Sequence, residues 1–255
     1  MRKIGICLFF LFCTTILVFG QQDASTAGPK GISEAVKKRI NKSKDRLVLE
    51  FCMMNAFIKK DGGLTVPDDF KLENFNRGFN AYFYYDLILG KKTKFQHFSL
   101  APGIGVGSEN YYFKKFGMSW IGDTATRFYA FGDSIASKKS KLNMTYIDIP
   151  FEFRYRSKPH KKTGMAIKVT VGFKFGFLVG SKWKYEGEEL NNSGNNVKFK
   201  QMGVANMNKL RYGPYIRAGY GLFNLFCYYS LSNTFVNNKG PKMNPIVFGL
   251  SINGL

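Results

Sequence analysis

From Arg46 onward, apolar and polar residues alternate with a period of two. That spacing sends successive side chains to opposite faces of a strand. The clearest segment is Tyr146–Arg156, where Ile147, Ile149, Phe151, Phe153 and Tyr155 share one face and Asp148, Pro150, Glu152, Arg154 and Arg156 the other. In the next segment Ile167, Val169, Val171, Phe173, Phe175, Phe177 and Val179 alternate with Lys168, Thr170, Gly172, Lys174, Gly176, Gly180 and Lys182. Leu178 is the one apolar residue on that polar face. The same alternation, less pure, runs through Arg46–Ile58, Gly78–Leu89, Phe95–Tyr112, Arg211–Tyr220, Leu222–Leu231 and Pro245–Asn253, so eight strands are predicted. Their connections alternate in length. Lys59–Arg77, Phe113–Lys141 and Glu186–Leu210 are long and Ser232–Asn244 is medium, whereas Gly90–Lys94, Ser157–Gly164 and the turn at Gly221 are short. An even number of strands, each long enough to cross a bilayer at a tilt, with long loops at one end, predicts an all-β fold. It is an eight-stranded antiparallel up-and-down transmembrane β-barrel over residues 46–255.

The segment before the barrel has a different character. Arg2 and Lys3 precede an apolar run, Ile4–Phe19, and Val18-Phe19-Gly20 stands before Gln21. This is the pattern of a secretory signal peptide cleaved after Gly20. Residues 21–45 are polar and charged, with a weak helical spacing at Ile32, Ala35, Val36 and Ile40, and suit either one short helix or a periplasmic linker. No later segment is apolar for long enough to form a transmembrane helix, so a membrane location requires a closed barrel. A soluble lipocalin-like barrel, with the apolar face turned inward, shares the same alternation. The bulk of that face and the unequal loops favour the membrane form.

Charge then decides which face is inside. The chain carries a formal net charge of +21, or +19 once Arg2 and Lys3 are removed with the signal peptide. A Lys or Arg facing hydrocarbon costs about 2–4 kcal/mol at mid-depth, so the charged face belongs in the lumen. An eight-stranded barrel is only wide enough for its own side chains to fill it. Glu50, Asp86, Asp148 and Glu152 are therefore expected to pair with Arg154, Arg156, Lys168, Lys174, Arg211 and Arg217. Gly103, Gly105, Gly107, Gly172 and Gly176 would give those long side chains room. Other basic residues lie in turns and loop bases, among them Lys91, Lys92, Lys114, Lys115, Lys138, Lys139, Lys158, Lys161 and Lys162. That spread suits outer-membrane lipid and lipopolysaccharide phosphates as partners, and not nucleic acid. Tyr111, Tyr112, Trp183, Tyr185, Tyr220 and Phe95, near strand ends, suit interfacial girdles. Trp120, Ile121, Phe128, Tyr129 and Phe131 in the Phe113–Lys141 loop are candidate contacts for envelope or secretion-machinery proteins.

Catalytic chemistry is not indicated. His97 and His160 both fall at the short-turn end, away from where a hydrolase acting on outer-leaflet lipid would need its base. Cys52 and Cys227 lie on strands that are not neighbours, which disfavours a disulfide. No metal-ligand spacing or cofactor motif is present.

The segments RLVLEF (Arg46–Phe51), RGFNAYFYYDLILG (Arg77–Gly90), FSLAPGIGVGSENYY (Phe98–Tyr112), LNMTYIDIPFEFRYR (Leu142–Arg156) and GFKFGFLVGSKWKYEG (Gly172–Gly187) resemble the outer-membrane β-barrel family of Bacteroidetes, which includes PorT-like proteins. The most specific piece is Tyr146-Ile147-Asp148-Ile149-Pro150. The resemblance implies the eight-stranded barrel and the outer membrane, and carries over no functional residues. The expected function is a non-enzymatic structural or interaction barrel acting through its loops. The alternatives are a transport or secretion accessory, a narrow channel, and the soluble ligand carrier.

Overall fold

The computed structural model describes residues 46–59, 66–89, 97–120, 124–132, 137–189 and 195–254. The expected signal peptide and leader, together with Phe95, Ile121 and the side chain of Trp120, lie outside the described residues.

The described chain forms twelve strands: β1 (Leu47–Lys59), β2 (Asn76–Tyr84), β3 (Leu87–Ile88), β4 (Phe98–Phe113), β5 (Phe116–Trp120), β6 (Thr126–Ala130), β7 (Ser137–Arg156), β8 (Ile167–Glu188), β9 (Asn196–Met202), β10 (Leu210–Tyr220), β11 (Phe223–Tyr229) and β12 (Lys242–Asn253). Eight of them close a ring in the order β1-β2-β4-β7-β8-β10-β11-β12, with β12 pairing back onto β1. Every pairing is antiparallel, so no edge is left open within the wall. The β10–β11 hairpin turns through Gly221, whose φ of 65° is a backbone shape that costs glycine nothing.

The connections hold more structure than their sequence suggests. The expected Phe113–Lys141 loop contains the β5–β6 hairpin and the first turn-distal residues of β7, and the expected Glu186–Leu210 loop contains β9, which pairs with the top of β8. The expected Gly78–Leu89 strand is interrupted at Tyr85 and Asp86, leaving β3 as a two-residue stub paired to β4.

A register shift at Thr145 on β7 displaces the partner on β8, where Tyr146 faces Leu178 and Thr145 faces Gly180. Val179 is the extra residue of this bulge, and it reverses the parity of β8 above it. Leu178, just below the bulge, keeps its expected lumen face, while Gly180 and Lys182 move to the outer face, a correction to their expected place in the lumen. Trp183 and Tyr185 turn inward and are buried, as is Tyr111 on β4, so these three are not girdle residues. Tyr220 stays exposed on the outer wall.

Outside the ring, Phe51, Phe79, Ile104, Phe151, Phe177 and Leu225 are all largely exposed. They belong to a continuous apolar belt, far larger than a soluble monomer tolerates. The belt covers β4 from Phe98 to Val106, β7 from Ile147 to Tyr155 and β8 from Ile167 to Phe177. These lengths match the roughly 9–11 residues of a tilted membrane strand. β7 has 20 residues and β8 has 22, so their far halves project beyond the belt at the long-loop end.

Candidate functional site: the lumen and its cap

The inward positions of the ring place two ionic clusters one above the other. Nearest the short turns, Arg217 on β10 is almost fully buried between two carboxylates. It donates to Glu50 at 2.7 Å and to Glu152 at 2.9 Å. Glu50 also accepts from Asn80 at 2.8 Å. Arg154 donates to Asp86 at 2.7 Å and to Glu152, and stacks over the Tyr84 ring at 4.4 Å. Tyr215 donates its hydroxyl to Glu152. Two guanidiniums thus meet three carboxylates, each with hydrogen bonds as well as charge.

The second cluster lies toward the loop end. Arg211 donates to both oxygens of Asp148, at 2.9 and 2.7 Å, and also pairs with Glu109. Its guanidinium lies 3.8 Å from the centre of the Tyr146 ring. Tyr82 donates to Asp148 at 3.0 Å and accepts from Lys174 at 3.0 Å, while Lys174 sits 4.0 Å over the ring of Tyr228. Between the clusters, Tyr82, Tyr84, Tyr215 and Tyr228 leave gaps no larger than a water molecule.

Of the ten lumen residues singled out from sequence, Glu50, Asp148, Glu152, Arg154, Lys174, Arg211 and Arg217 are buried inside the ring. Asp86 reaches Arg154 from just beyond β2. Arg156 and Lys168 face each other in register at the short-turn rim and are only half-buried. Glu109 was missed, although it continues the inward parity of Gly103, Gly105 and Gly107 and could have been found that way. The tyrosines were missed as well, because they share strand faces with the ions and not a motif.

Glycine makes the tight packing feasible. A Cβ on Gly176 would meet Asp148 Oδ1 and come within 2.7 Å of Arg211 Nε. Gly176→Val should therefore split the Asp148–Arg211 pair and destabilise the barrel by about 3–5 kcal/mol, the cost of breaking a buried pair. Urea unfolding followed by the gel shift of the folded barrel measures this, and a change below about 1 kcal/mol would contradict the packing described.

Above the clusters the lumen becomes apolar. Leu142, Met144, Trp183, Tyr185 and Met243 fill it from the wall, and Met207 from the β9–β10 connection. The β5–β6 hairpin closes it from above. Phe128 packs on Phe70, Phe113 and Phe235 with ring centroids 4.6, 5.0 and 6.2 Å apart. Phe131 packs on Tyr185 at 5.2 Å. Phe128 and Phe131 are each only 5% exposed, which corrects their expected place on a surface offered to partners. Tyr129 is half-buried beside Phe131. The hairpin's apolar residues serve the lumen, because a barrel open at one end must bury its own upper core.

Cys52 faces the lumen and Cys227 the outer wall, so no disulfide joins them. His97 is tied to the Arg156 carbonyl oxygen at 2.8 Å at the short-turn rim. Among the described residues no group of three or more His, Cys, Asp and Glu side chains could hold a metal ion.

A closed ring of eight antiparallel strands, ionic within and apolar without, is the architecture of a membrane-spanning β-barrel. The family described as outer membrane protein beta-barrel domain matches residues 49–236, and the chain belongs to it. Its location is the bacterial outer membrane. Among solved structures, the chain is similar to Ail, the attachment invasion locus protein of Yersinia pestis, solved in complex with the heparin analogue sucrose octasulfate. The identity is 10%, with 82% of this chain and 95% of that one covered, at a TM-score of 0.34. It is also similar to the translocator domain of the autotransporter NalP from Neisseria meningitidis, at 8% identity, 87% and 92% coverage and a TM-score of 0.22. No curated protein matches the sequence.

Proposed function

We propose that this barrel is a non-enzymatic structural and interaction protein, closed to solutes, which presents the projecting sheet of β4, β7, β8 and β9 to other components of the envelope. The observation that supports this reading best is the filled lumen. Two ion clusters and an aromatic cap occupy the space a conducting path would need. The projecting halves of β7 and β8, paired to each other and to β9, supply a rigid surface beyond the lipid. The resemblance to PorT-like barrels directs the search for partners toward secretion machinery.

Two measurements test the reading. Conductance of the purified barrel in a planar bilayer should stay at background, and well-resolved unitary steps would refute a closed lumen. Replacing residues 189–203 with a short Gly-Ser turn should abolish capture of envelope proteins from cross-linked cells while leaving the heat-shifted gel band in place. Unchanged capture would remove the interaction surface proposed.

A further inference from the structure

Above the apolar belt the outer face of the wall changes sign. On β7 it reads Thr145, Asn143, Lys141 and Lys139 away from the membrane, and on β8 Gly180, Lys182, Lys184 and Glu186. The register joins these into rows. Asn110, Asn143 and Lys182 form one, and Tyr112, Lys141, Lys184 and Lys200 form the next. Three lysines thus stand directly opposite one another on adjacent strands, where like charges weaken a sheet.

Lys141, at the centre of this patch, is also fixed in place. Lys141 Nζ donates to Asn110 Oδ1 at 2.8 Å and lies 5.2 Å over the Tyr112 ring, with Lys139 over the same ring at 5.9 Å. Asn143 Nδ2 braces the same Asn110 oxygen at 3.1 Å, and Asn110 donates to the Arg77 carbonyl oxygen at 3.0 Å. The carboxylates on this face are Glu186, which Lys198 engages at 2.9 Å, and Glu188 beyond it. Among the described residues, no carboxylate forms an ion pair with Lys141, Lys182, Lys184 or Lys200. Partial burial, followed by the charges of Lys139, Lys184, Lys182 and Arg77, pushes the Lys141 ammonium down to about 8. The sheet therefore concentrates positive charge with which, among the described residues, no carboxylate pairs along the row of Lys141, Lys184 and Lys200.

We infer that Lys141, Lys182, Lys184 and Lys200 form a binding site for the phosphates of phosphorylated lipid headgroups in the outer leaflet. The inference rests on the reading that the projecting sheet faces the cell exterior. Height supports it. Asn143 and Lys141 lie four and six residues above Ile147, the last apolar wall residue of β7. At about 3.3 Å per residue and a tilt of about 35–45°, the two rows stand roughly 10–15 Å above the hydrocarbon. Lysine stems are long enough to reach down the wall to headgroup depth, as Lys141 does toward Asn110 in the lower row. Anionic phosphate there removes the cross-strand repulsion that the bare sheet carries.

The test titrates the full-length barrel, in zwitterionic detergent micelles, with bisphosphorylated lipid A, its enzymatically dephosphorylated form, and inorganic phosphate. Binding is read from the rise in unfolding temperature and from lipid phosphorus retained on gel filtration. The triple variant K141Q/K182Q/K184Q should bind lipid A about a hundredfold more weakly. Its unfolding temperature without lipid should be equal or higher, because repulsion has been removed, and this separates lost binding from misfolding. K158Q/K161Q/K162Q, which loses the same charge from the short-turn end, should bind as the parent does. Unchanged binding by the first triple variant, a lower lipid-free unfolding temperature, or equal binding of dephosphorylated lipid would each overturn the site. Displacement of lipid A by equimolar inorganic phosphate would assign a free-anion site and overturn the lipid. Only purified components are used, so failure to capture envelope proteins from cells leaves this result untouched.

Discussion

Replacing Arg217 with Met is expected to cost the barrel about 3–5 kcal/mol, the range for removing one partner of a buried ion pair. The guanidinium is 1% exposed and spans the lumen from β10 to Glu50 on β1 and Glu152 on β7. The two carboxylates do not depend on it equally. Glu152 retains Arg154 and the Tyr215 hydroxyl when Arg217 is gone. Glu50 retains only neutral partners, because Arg217 is its sole ion-pair partner among the described residues. Most of the penalty should therefore come from Glu50 stranded as a buried charge. R217M/E50Q is expected to recover more of the lost stability than R217M/E152Q, since the amide can keep the bond to Asn80 without carrying charge. Urea midpoints of the gel-shifted folded form report all three variants. Equal recovery by the two double variants would show that the charges act as one pool and not as the directed pairs described.

The parts of this arrangement that were legible in the sequence are those fixed by strand parity. Asp148, Pro150, Glu152 and Arg154 alternate with Ile147, Ile149, Phe151 and Phe153, and a strand in a bilayer has only one way to place such a pattern. Parity also carried Glu50, Lys174, Arg211 and Arg217 to the inner face. It misplaced Lys182, Trp183 and Tyr185 because one extra residue, Val179, inverts the face of everything beyond it. A bulge is set by how two strands meet, and the local sequence of Leu178–Ser181 is apolar or small on both faces, so nothing in it marks the inversion. The same inversion hid the lysine row. Lys184 and Lys200 face Lys141 only once the register of three strands is known. The loop aromatics failed for a related reason. Phe128 and Phe131 read as exposed because they lie between strands, yet their environment comes from Phe70, Phe113, Phe235 and Tyr185, contributed by distant parts of the chain.

That non-local environment makes Phe128 the second position with a large expected effect. Its ring meets Phe70 in the β1–β2 connection, Phe113 at the end of β4 and Phe235 in the β11–β12 connection, so one side chain ties two connections and a strand end together over the mouth of the barrel. Phe128→Ala removes the centre of this cluster and is expected to cost about 3–5 kcal/mol. The loss should be local in one respect. The ionic clusters lie below Tyr111, Leu142 and Met144, which do not depend on the hairpin for their strand pairing, so the ring should remain closed and the gel shift should persist. What should change is the protection of the upper lumen. Amide exchange of Trp183 and Tyr185 on β8 should accelerate in the variant, while that of Arg211 and Arg217 on β10 stays slow. Conductance should remain at background, because opening the cap exposes apolar side chains but leaves the Arg211 and Arg217 clusters across the path. If unitary conductance appeared on removing Phe128 alone, the cap and not the salt-linked lumen would be the seal. If stability and exchange were both unchanged, the hairpin would be an appendage, and its aromatic residues would be free to serve the partners for which their position between strands first suggested them.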